Sequence, residues 1–211
     1  MRPLPIVVST STPTKLSLAD RVATAAPPVR FAHKLVERVR LLAADDEGVA
    51  AHFRTQGATI GTGTRILTKS LGSEPYLVTI GDETLISTDV MFSTHDGATW
   101  VLRDELPDLA VFGRITIGRR SFIGTRTVLL PGCSVGDRSV VGAGSVVNSD
   151  IPDGVVAVGV PARVVSTIDE FRERCVARSV GPVPAERSDL VDFLTQRLGG
   201  DTGPDLPSSG N

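Results

Sequence analysis

Between residues 117 and 146, an apolar residue occupies every sixth position of the chain. Written in sixes the stretch is IGRRSF IGTRTV LLPGCS VGDRSV VGAGSV, with Gly often second and Ser, Thr or Cys fifth. An α-helix would carry the apolar position around its axis, and an alternating strand would need no Gly or small residue in a set place. A constant six-residue period predicts a parallel β-helix, in which three hexads complete one triangular turn.

The hexads begin near Ile60 and are interrupted twice before this regular run. After IGTGTR ILTKSL the segment GSEPYLVT breaks the period, which resumes at Ile80. A second break, ATWVLRDELPDLA, indicates an excursion loop over about residues 97–110, after which the coil resumes with VFGRIT. The pattern therefore predicts a mainly β solenoid over residues 58–166.

A helical pattern precedes the coil. Apolar residues three and four positions apart, typical of an amphipathic helix with a break near Gly48, are Phe31, Leu35, Val39 and Leu42. We expect a helical cap over residues 28–57, which covers the open pairing edge at the start of the solenoid. Residues 1–27 are rich in Ser, Thr, Pro and Ala, and we expect a flexible segment there.

Two further helices are expected after the coil, within residues 167–198. The second follows ERSDL, in which Ser188 is a plausible N-cap. The remaining segment, residues 199–211, is rich in Gly, Pro and Ser and predicts a disordered tail.

The amino-acid composition argues against some classes of function but does not identify one. The 22 Lys and Arg nearly balance the 24 Asp and Glu, which argues against nucleic acid or an anionic membrane as the main partner. Cys133 and Cys175 form neither a disulfide framework nor a metal-ligand spacing, so we expect a reducing compartment and no metal. The N-terminal apolar run is too short for a signal peptide or a membrane span. These features predict a cytoplasmic protein without membrane insertion.

The hexads, the STHDG sequence before the excursion loop and the GVPARVV ending together resemble the hexapeptide-repeat acyltransferases. The likeness covers about residues 58–168 and is greatest to the sugar O-acetyltransferase branch, which includes maltose, galactoside and polysaccharide acetyltransferases. The resemblance implies a left-handed parallel β-helix, a homotrimer with sites between neighbouring coils, and acetyl-coenzyme A as the acyl donor.

Acyl transfer to a hydroxyl needs a base, and His95 is the only histidine in the predicted coil, since His33 and His52 lie in the N-terminal helical region. Its side chain titrates near neutral pH, and its place at the head of the loop matches the catalytic histidine of the family. Asp96 follows it directly and Asp89 lies one hexad earlier. Either carboxylate is a candidate to hold the ring tautomer and to stabilise the imidazolium.

The donor site follows from the resemblance. In FIGTRT, Gly124 and Thr125 match the segment near the thioester, and a backbone N–H there is the expected donor to the oxyanion. Gly142 and Ala143 match the backbone along which pantetheine lies, where small residues allow close approach. Arg163 in GVPAR matches a basic position that contacts the nucleotide end of coenzyme A.

Trp100 in the excursion loop has two interpretations. An exposed indole is energetically unfavourable unless it covers another group. The Trp100 side chain therefore either lines the acceptor site across a subunit boundary or packs the excursion loop onto its own coil.

Three alternatives compete with O-acetylation. A zinc-dependent carbonic anhydrase of the same fold needs three protein ligands, and the coil offers one histidine, so we reject that alternative. A non-catalytic hexapeptide scaffold and an N-acetyltransferase acting on an amino sugar or nucleotide sugar stay open. The favoured hypothesis is direct transfer in a ternary complex from acetyl-coenzyme A to a hydroxyl of a sugar or saccharide precursor, with His95 as the base.

Overall fold

The computed structural model describes residues 44–199 of the chain. The predicted flexible segment, the predicted helix before residue 44 and the predicted tail from residue 200 lie outside the described residues. Thirteen short strands form the body: β1 Thr59–Ile60, β2 Arg65–Ile66, β3 Val78–Ile80, β4 Leu85–Ile86, β5 Met91–Phe92, β6 Ile115–Ile117, β7 Phe122–Ile123, β8 Val128–Leu129, β9 Ser134–Val135, β10 Val140–Val141, β11 Val146–Val147, β12 Val155–Val158 and β13 Arg163–Thr167.

These strands form three sheets, and successive strands of one turn belong to different sheets. The first sheet has the order β1-β3-β6-β9, the second β13-β12-β10-β7-β4-β2, and the third β11-β8-β5. Every pair is parallel except β12 with β13, which is antiparallel and ends the coil. The predicted fold class, a left-handed parallel β-helix of hexapeptide repeats, is confirmed.

The six-residue period has two physical causes. The first residue of each hexad points inward, and residues such as Ile86, Ile123 and Leu129 are fully buried in one continuous core. The small fifth residue fills a tight corner and ties adjacent coils together: the buried Ser139 hydroxyl donates to the Pro152 carbonyl at 2.7 Å. Little room is left at these corners, which explains why Ser, Thr and Cys recur at the fifth position between residues 117 and 146.

The three edges of this triangular coil are called corners 1, 2 and 3. Corner 1 joins the first sheet to the second and includes residues 118–121. Corner 2 joins the second sheet to the third and includes residues 124–127, and corner 3, with residues 130–133, leads back to the first sheet. Both interruptions of the repeat leave the coil at corner 3, where they form 3₁₀ turns at Pro75–Leu77 and Gly97–Leu102.

One helix, α1 Asp46–Thr55, lies over the first turn of the coil. A helix boundary does lie close to Gly48: α1 begins after its N-cap Asp45, and Gly48, the third residue of α1, donates its N–H to the Asp45 side chain at 2.8 Å. Phe53 is 1% exposed, and Arg54 donates to two backbone carbonyls of the first turn. The helix thus covers the apolar end of the core.

Two helices follow the coil, α2 Ile168–Ala177 and α3 Arg187–Leu198. The residue that precedes α3 is Glu186, so the prediction of Ser188 as its N-cap is wrong by two positions. No helix within residues 44–199 is both long enough and apolar enough to cross a membrane.

Candidate functional site

His95 lies at corner 3, where the chain leaves the coil for the excursion loop. The returning strand segment pairs with it in antiparallel fashion: Asp96 donates its N–H to the Val111 carbonyl, and Gly113 donates its N–H to the Thr94 carbonyl, both at 2.9 Å. These bonds close the loop at its root and hold the backbone of His95 against the coil.

The imidazole ring of His95 contacts a carboxylate from the preceding turn of the coil. Nδ1 lies 3.1 Å from Oε2 of Glu74, and the same oxygen accepts a hydrogen bond from the hydroxyl of Thr94. The Thr94 hydroxyl, followed by His95, lowers the pKa of Glu74, so that this carboxylate is ionised at neutral pH. The Phe112 ring lies 5.9 Å from the imidazole, centroid to centroid.

Sequence reasoning missed Glu74 and placed the orienting role on Asp96 or Asp89. In the structure neither of these carboxylates lies within hydrogen-bonding distance of the His95 ring: Oδ1 of Asp96 accepts the N–H of Ala98 at 2.9 Å and caps the 3₁₀ turn. Asp89 lies at corner 2, where its carboxylate is 3.9 Å from Arg126. The signal that could have found Glu74 is its position in the first break of the hexad period, one turn before His95.

An open cavity of about 490 Å³ lies beside His95 and is lined by the excursion loop. Trp100 lines it and is 68% exposed, which contradicts the alternative in which the indole packs the loop onto its own coil. The guanidinium of Arg103 lies 3.9 Å from the centroid of the indole and covers one of its faces. Within residues 44–199, no group of three or more His, Cys, Asp or Glu side chains is arranged to hold a metal ion.

Gly124 and Thr125 lie at corner 2, as the hexad pattern requires. Gly124 donates its N–H to the Val141 carbonyl at 2.8 Å, so that this N–H belongs to the ladder between coils. A Cβ on Gly124 would lie 2.5 Å from the backbone nitrogen of Ala143 in the next turn, which explains the glycine structurally. No acceptor in the described part of the chain takes the N–H of Thr125, and this leaves Thr125 as the candidate donor of the two.

At corner 1, most of the corresponding backbone N–H groups donate to a side chain. There an aspartate of the next turn accepts three of them: Asp82 accepts the N–H of Thr62 at 2.7 Å, Asp137 that of Arg119 at 2.9 Å, and Asp153 that of Asp137 at 2.7 Å. At corner 2 the residue in the aspartate position is Ala143. Corner 2 therefore presents backbone N–H groups with small side chains around them.

Gly142, Ala143 and Arg163 extend this surface towards the end of the coil. The segment 159–162 folds over the last turn, where Ala162 donates its N–H to the Val146 carbonyl at 2.8 Å. Arg163 follows directly and is exposed, with Nη1 donating to the Ala162 carbonyl at 2.8 Å. The predicted donor-site residues thus share one corner and its end, whereas His95, Asp96 and Trp100 lie at another corner, across the third sheet.

The hexad geometry agrees with what comparison with known proteins finds. The bacterial transferase hexapeptide family (six repeats) matches residues 114–149. Protein CapG of Staphylococcus aureus is 41% identical over 125 residues, which cover 58% of this chain and 73% of CapG. The chain belongs to the bacterial hexapeptide-repeat transferases. The resemblance to the acyltransferases of this fold, in their sugar O-acetyltransferase branch, is confirmed.

Two further relatives of the hexapeptide transferase are O-acetyltransferases by name. The galactoside O-acetyltransferase of Escherichia coli strain K12 is 42% identical over 97 residues, covering 46% of this chain and 47% of that protein. WbbJ of the same strain, a putative lipopolysaccharide biosynthesis O-acetyl transferase, is 35% identical over 96 residues, covering 42% of this chain and 49% of WbbJ. The chain spans about half the length of these two relatives.

Proposed function

We propose that this hexapeptide transferase moves an acetyl group from acetyl-coenzyme A to a hydroxyl of a sugar or saccharide precursor, with His95 as general base. The observation that carries the proposal is the position of the His95 ring at the loop cavity. Nδ1 is engaged by a carboxylate, while no partner within residues 44–199 takes Nε2. A ring held in this way can accept a hydroxyl proton through Nε2.

The proposed transfer is direct. As His95 takes the proton, the acceptor oxygen forms a bond to the acetyl carbon. The carbon–sulfur bond then breaks, and the imidazolium returns the proton to the leaving sulfur, which departs as the thiol. A thiol nucleophile of the protein has no support here, because Cys133 is 2% exposed and burial raises its pKa to about 11. Cys175 lies on α2, away from both corners of the candidate site.

Corner 2 suits the proposed acetyl-coenzyme A site. The N–H groups of Thr125 and Ala143 have no acceptor within the described residues, and an amide-bearing chain can pair with such groups. Gly142 and Ala143 leave that backbone accessible, and the guanidinium of Arg163 at the end of the corner suits phosphate. Acetyl-coenzyme A supplies the activated acetyl group when it is bound there.

A homotrimer with sites between subunits is part of the proposal. Within one chain, the donor surface at corner 2 and His95 at corner 3 lie at opposite ends of the strands of the third sheet. A second copy that brings its corner 2 beside His95 would therefore complete the site. The outward face of the third sheet supports such burial because it is apolar, with Met91, Val128 and Val146, whereas the first sheet presents Thr79 and Thr116.

The acceptor class rests on the relatives. Galactoside O-acetyltransferase and WbbJ are named for transfer to oxygen, which supports a hydroxyl acceptor over an amine and an enzyme over a scaffold. We further propose a cytoplasmic location, which two free cysteines suit.

The test of the base is His95→Ala, with His52→Ala on α1 as the matched control. Acetyl transfer is followed by thiol release from acetyl-coenzyme A with a panel of hexoses, galactosides and maltose. We expect His95→Ala to lose roughly 100- to 10,000-fold in kcat while keeping its oligomeric state and acetyl-coenzyme A binding. The control should keep its activity. Wild-type turnover in His95→Ala would overturn the assignment of the base.

A further inference from the structure

We propose that Glu74 is a positioning residue for His95, and that the first break in the hexad repeat brings its carboxylate against the imidazole. The proposal rests on the proposed function, because positioning matters only if His95 accepts a proton.

The register of the first sheet shows where the chain departs from its period. In the regular part of the coil Ile117 pairs with Val135, 18 residues later, whereas Ile60 pairs with Ile80, 20 residues later. The additional residues are accommodated at corner 3, directly before the turn that carries His95. Glu74 lies within this enlarged corner, immediately before the 3₁₀ turn at Pro75–Leu77.

The enlarged corner is packed rather than loose. Gly72 has φ 86°, and a Cβ there would lie 2.6 Å from the Phe92 carbonyl oxygen of the next turn. The chain therefore passes against the strand that leads to His95, and glycine permits both the conformation and the approach. The Glu74 side chain is only 15% exposed, although it is charged.

The contacts of Glu74 select one ring tautomer. An ionised carboxylate only accepts hydrogen bonds, so the 3.1 Å contact requires the proton of a neutral His95 on Nδ1 and leaves the Nε2 lone pair for the acceptor. The Thr94 side chain, 1% exposed, donates to the same oxygen and holds the carboxylate in place. The negative charge also stabilises the imidazolium that forms when His95 takes the proton.

Other charged groups near His95 do not perform this task in the structure. Asp96, Arg103 and Asp104 line the same cavity, but Asp96 caps the 3₁₀ turn, and Asp104 is 95% exposed and 3.9 Å from Arg103. Of the described carboxylates, Glu74 is the one within hydrogen-bonding distance of the ring.

The experiment compares Glu74→Gln with Asp96→Asn, an equally conservative change at the neighbouring carboxylate. We expect Glu74→Gln to lower kcat by about 10- to 100-fold, with the KM for acetyl-coenzyme A within about twofold of wild type. Loss of the negative charge removes the group that stabilises the imidazolium, so that the acidic limb of the kcat/KM profile should move to lower pH. Glu74→Asp should recover part of the rate, and Asp96→Asn should leave the acidic limb in place.

Two results would overturn the proposal while leaving the base assignment intact. One is Glu74→Gln with wild-type kcat and an unmoved acidic limb while His95→Ala is inactive. The other is a loss of rate that accompanies lower thermal stability with no shift of the limb, which indicates a purely structural glutamate. An active His95→Ala would instead overturn the proposed function itself. If Glu74→Gln does not fold, ¹⁵N NMR of the wild-type ring decides, since an Nε2–H tautomer for neutral His95 contradicts the proposal.

Discussion

The contrast between corners 1 and 2 yields a substitution with opposite expected effects on stability and on binding. Asp137 at corner 1 accepts the N–H of Arg119, 18 residues earlier, at 2.9 Å. Ala143 holds the same position at corner 2, and Thr125 lies 18 residues before it. We therefore expect Ala143→Asp to place a carboxylate oxygen on the N–H of Thr125, with the geometry that corner 1 already shows.

The expected size of each effect follows from this bond. One added hydrogen bond at a partly exposed corner should stabilise the fold by about 1 kcal/mol, or roughly 2–4 °C in Tm for a chain of this length. Binding should suffer because the carboxylate takes the N–H proposed for acetyl-coenzyme A and adds a negative charge near a phosphate-bearing ligand. The two losses together come to about 2 kcal/mol, a roughly 30-fold increase in Kd.

Thermal denaturation and calorimetric titration with acetyl-coenzyme A measure the two effects separately. Ala143→Asn is the matched control for charge, since its amide oxygen can accept the same N–H, and it should weaken binding by a smaller factor of about five. Asp137→Ala at corner 1 should lower Tm and leave Kd unchanged. A raised Tm with an unchanged Kd for Ala143→Asp would refute the donor site at corner 2, and a lowered Tm would refute the equivalence of the two corners.

Two further predictions concern titratable side chains of the coil and α2. Because burial raises the pKa of Cys133 to about 11, a chromogenic thiol reagent at about pH 8 should label one thiol per native chain, Cys175, and the second only after unfolding; two rapidly labelled thiols would contradict this. Asp82 accepts hydrogen bonds from the backbone N–H of Thr62 and, with a smaller effect, from the Thr62 hydroxyl, and these bonds lower the pKa of Asp82. The contribution of Asp82 to stability is therefore present at neutral pH and is lost as pH falls through this lowered pKa. The Tm difference between wild type and Asp82→Asn should therefore shrink from pH 7 towards about pH 2.5, and a gap that widens in acid would contradict the assignment.

The regular part of the coil was predictable because its constraints are local and repeated. Each hexad must place one apolar residue inward and one small residue at a corner. The spacing of residues such as Ile123 and Ser139 along the chain therefore predicts the fold. The prediction of His95 at the root of an excursion loop depended on the same counting together with the family motif. The error at Ser188 concerns a helix end, where the boundary is the least certain part of any helix assignment.

The orienting carboxylate was beyond the reach of sequence spacing. Asp96 and Asp89 are near His95 along the chain, but one caps its own loop and the other lies at a different corner. Glu74 is 21 residues before His95, and only the stacking of successive turns at corner 3 brings the two side chains together. In the same way, no spacing reveals that aspartates accept three of the backbone N–H groups of corner 1, whereas the N–H of Thr125 at corner 2 has no acceptor within the described residues.

By itself, the sequence determined the solenoid, its period, the two breaks and the identity of the single coil histidine, because these depend on which residues recur at a set interval. The tertiary structure decided which corner each break leaves from, which carboxylate meets the ring, and which backbone N–H groups stay exposed. Those features depend on the register between turns, and a few additional residues in one turn change the register without altering the apolar repeat.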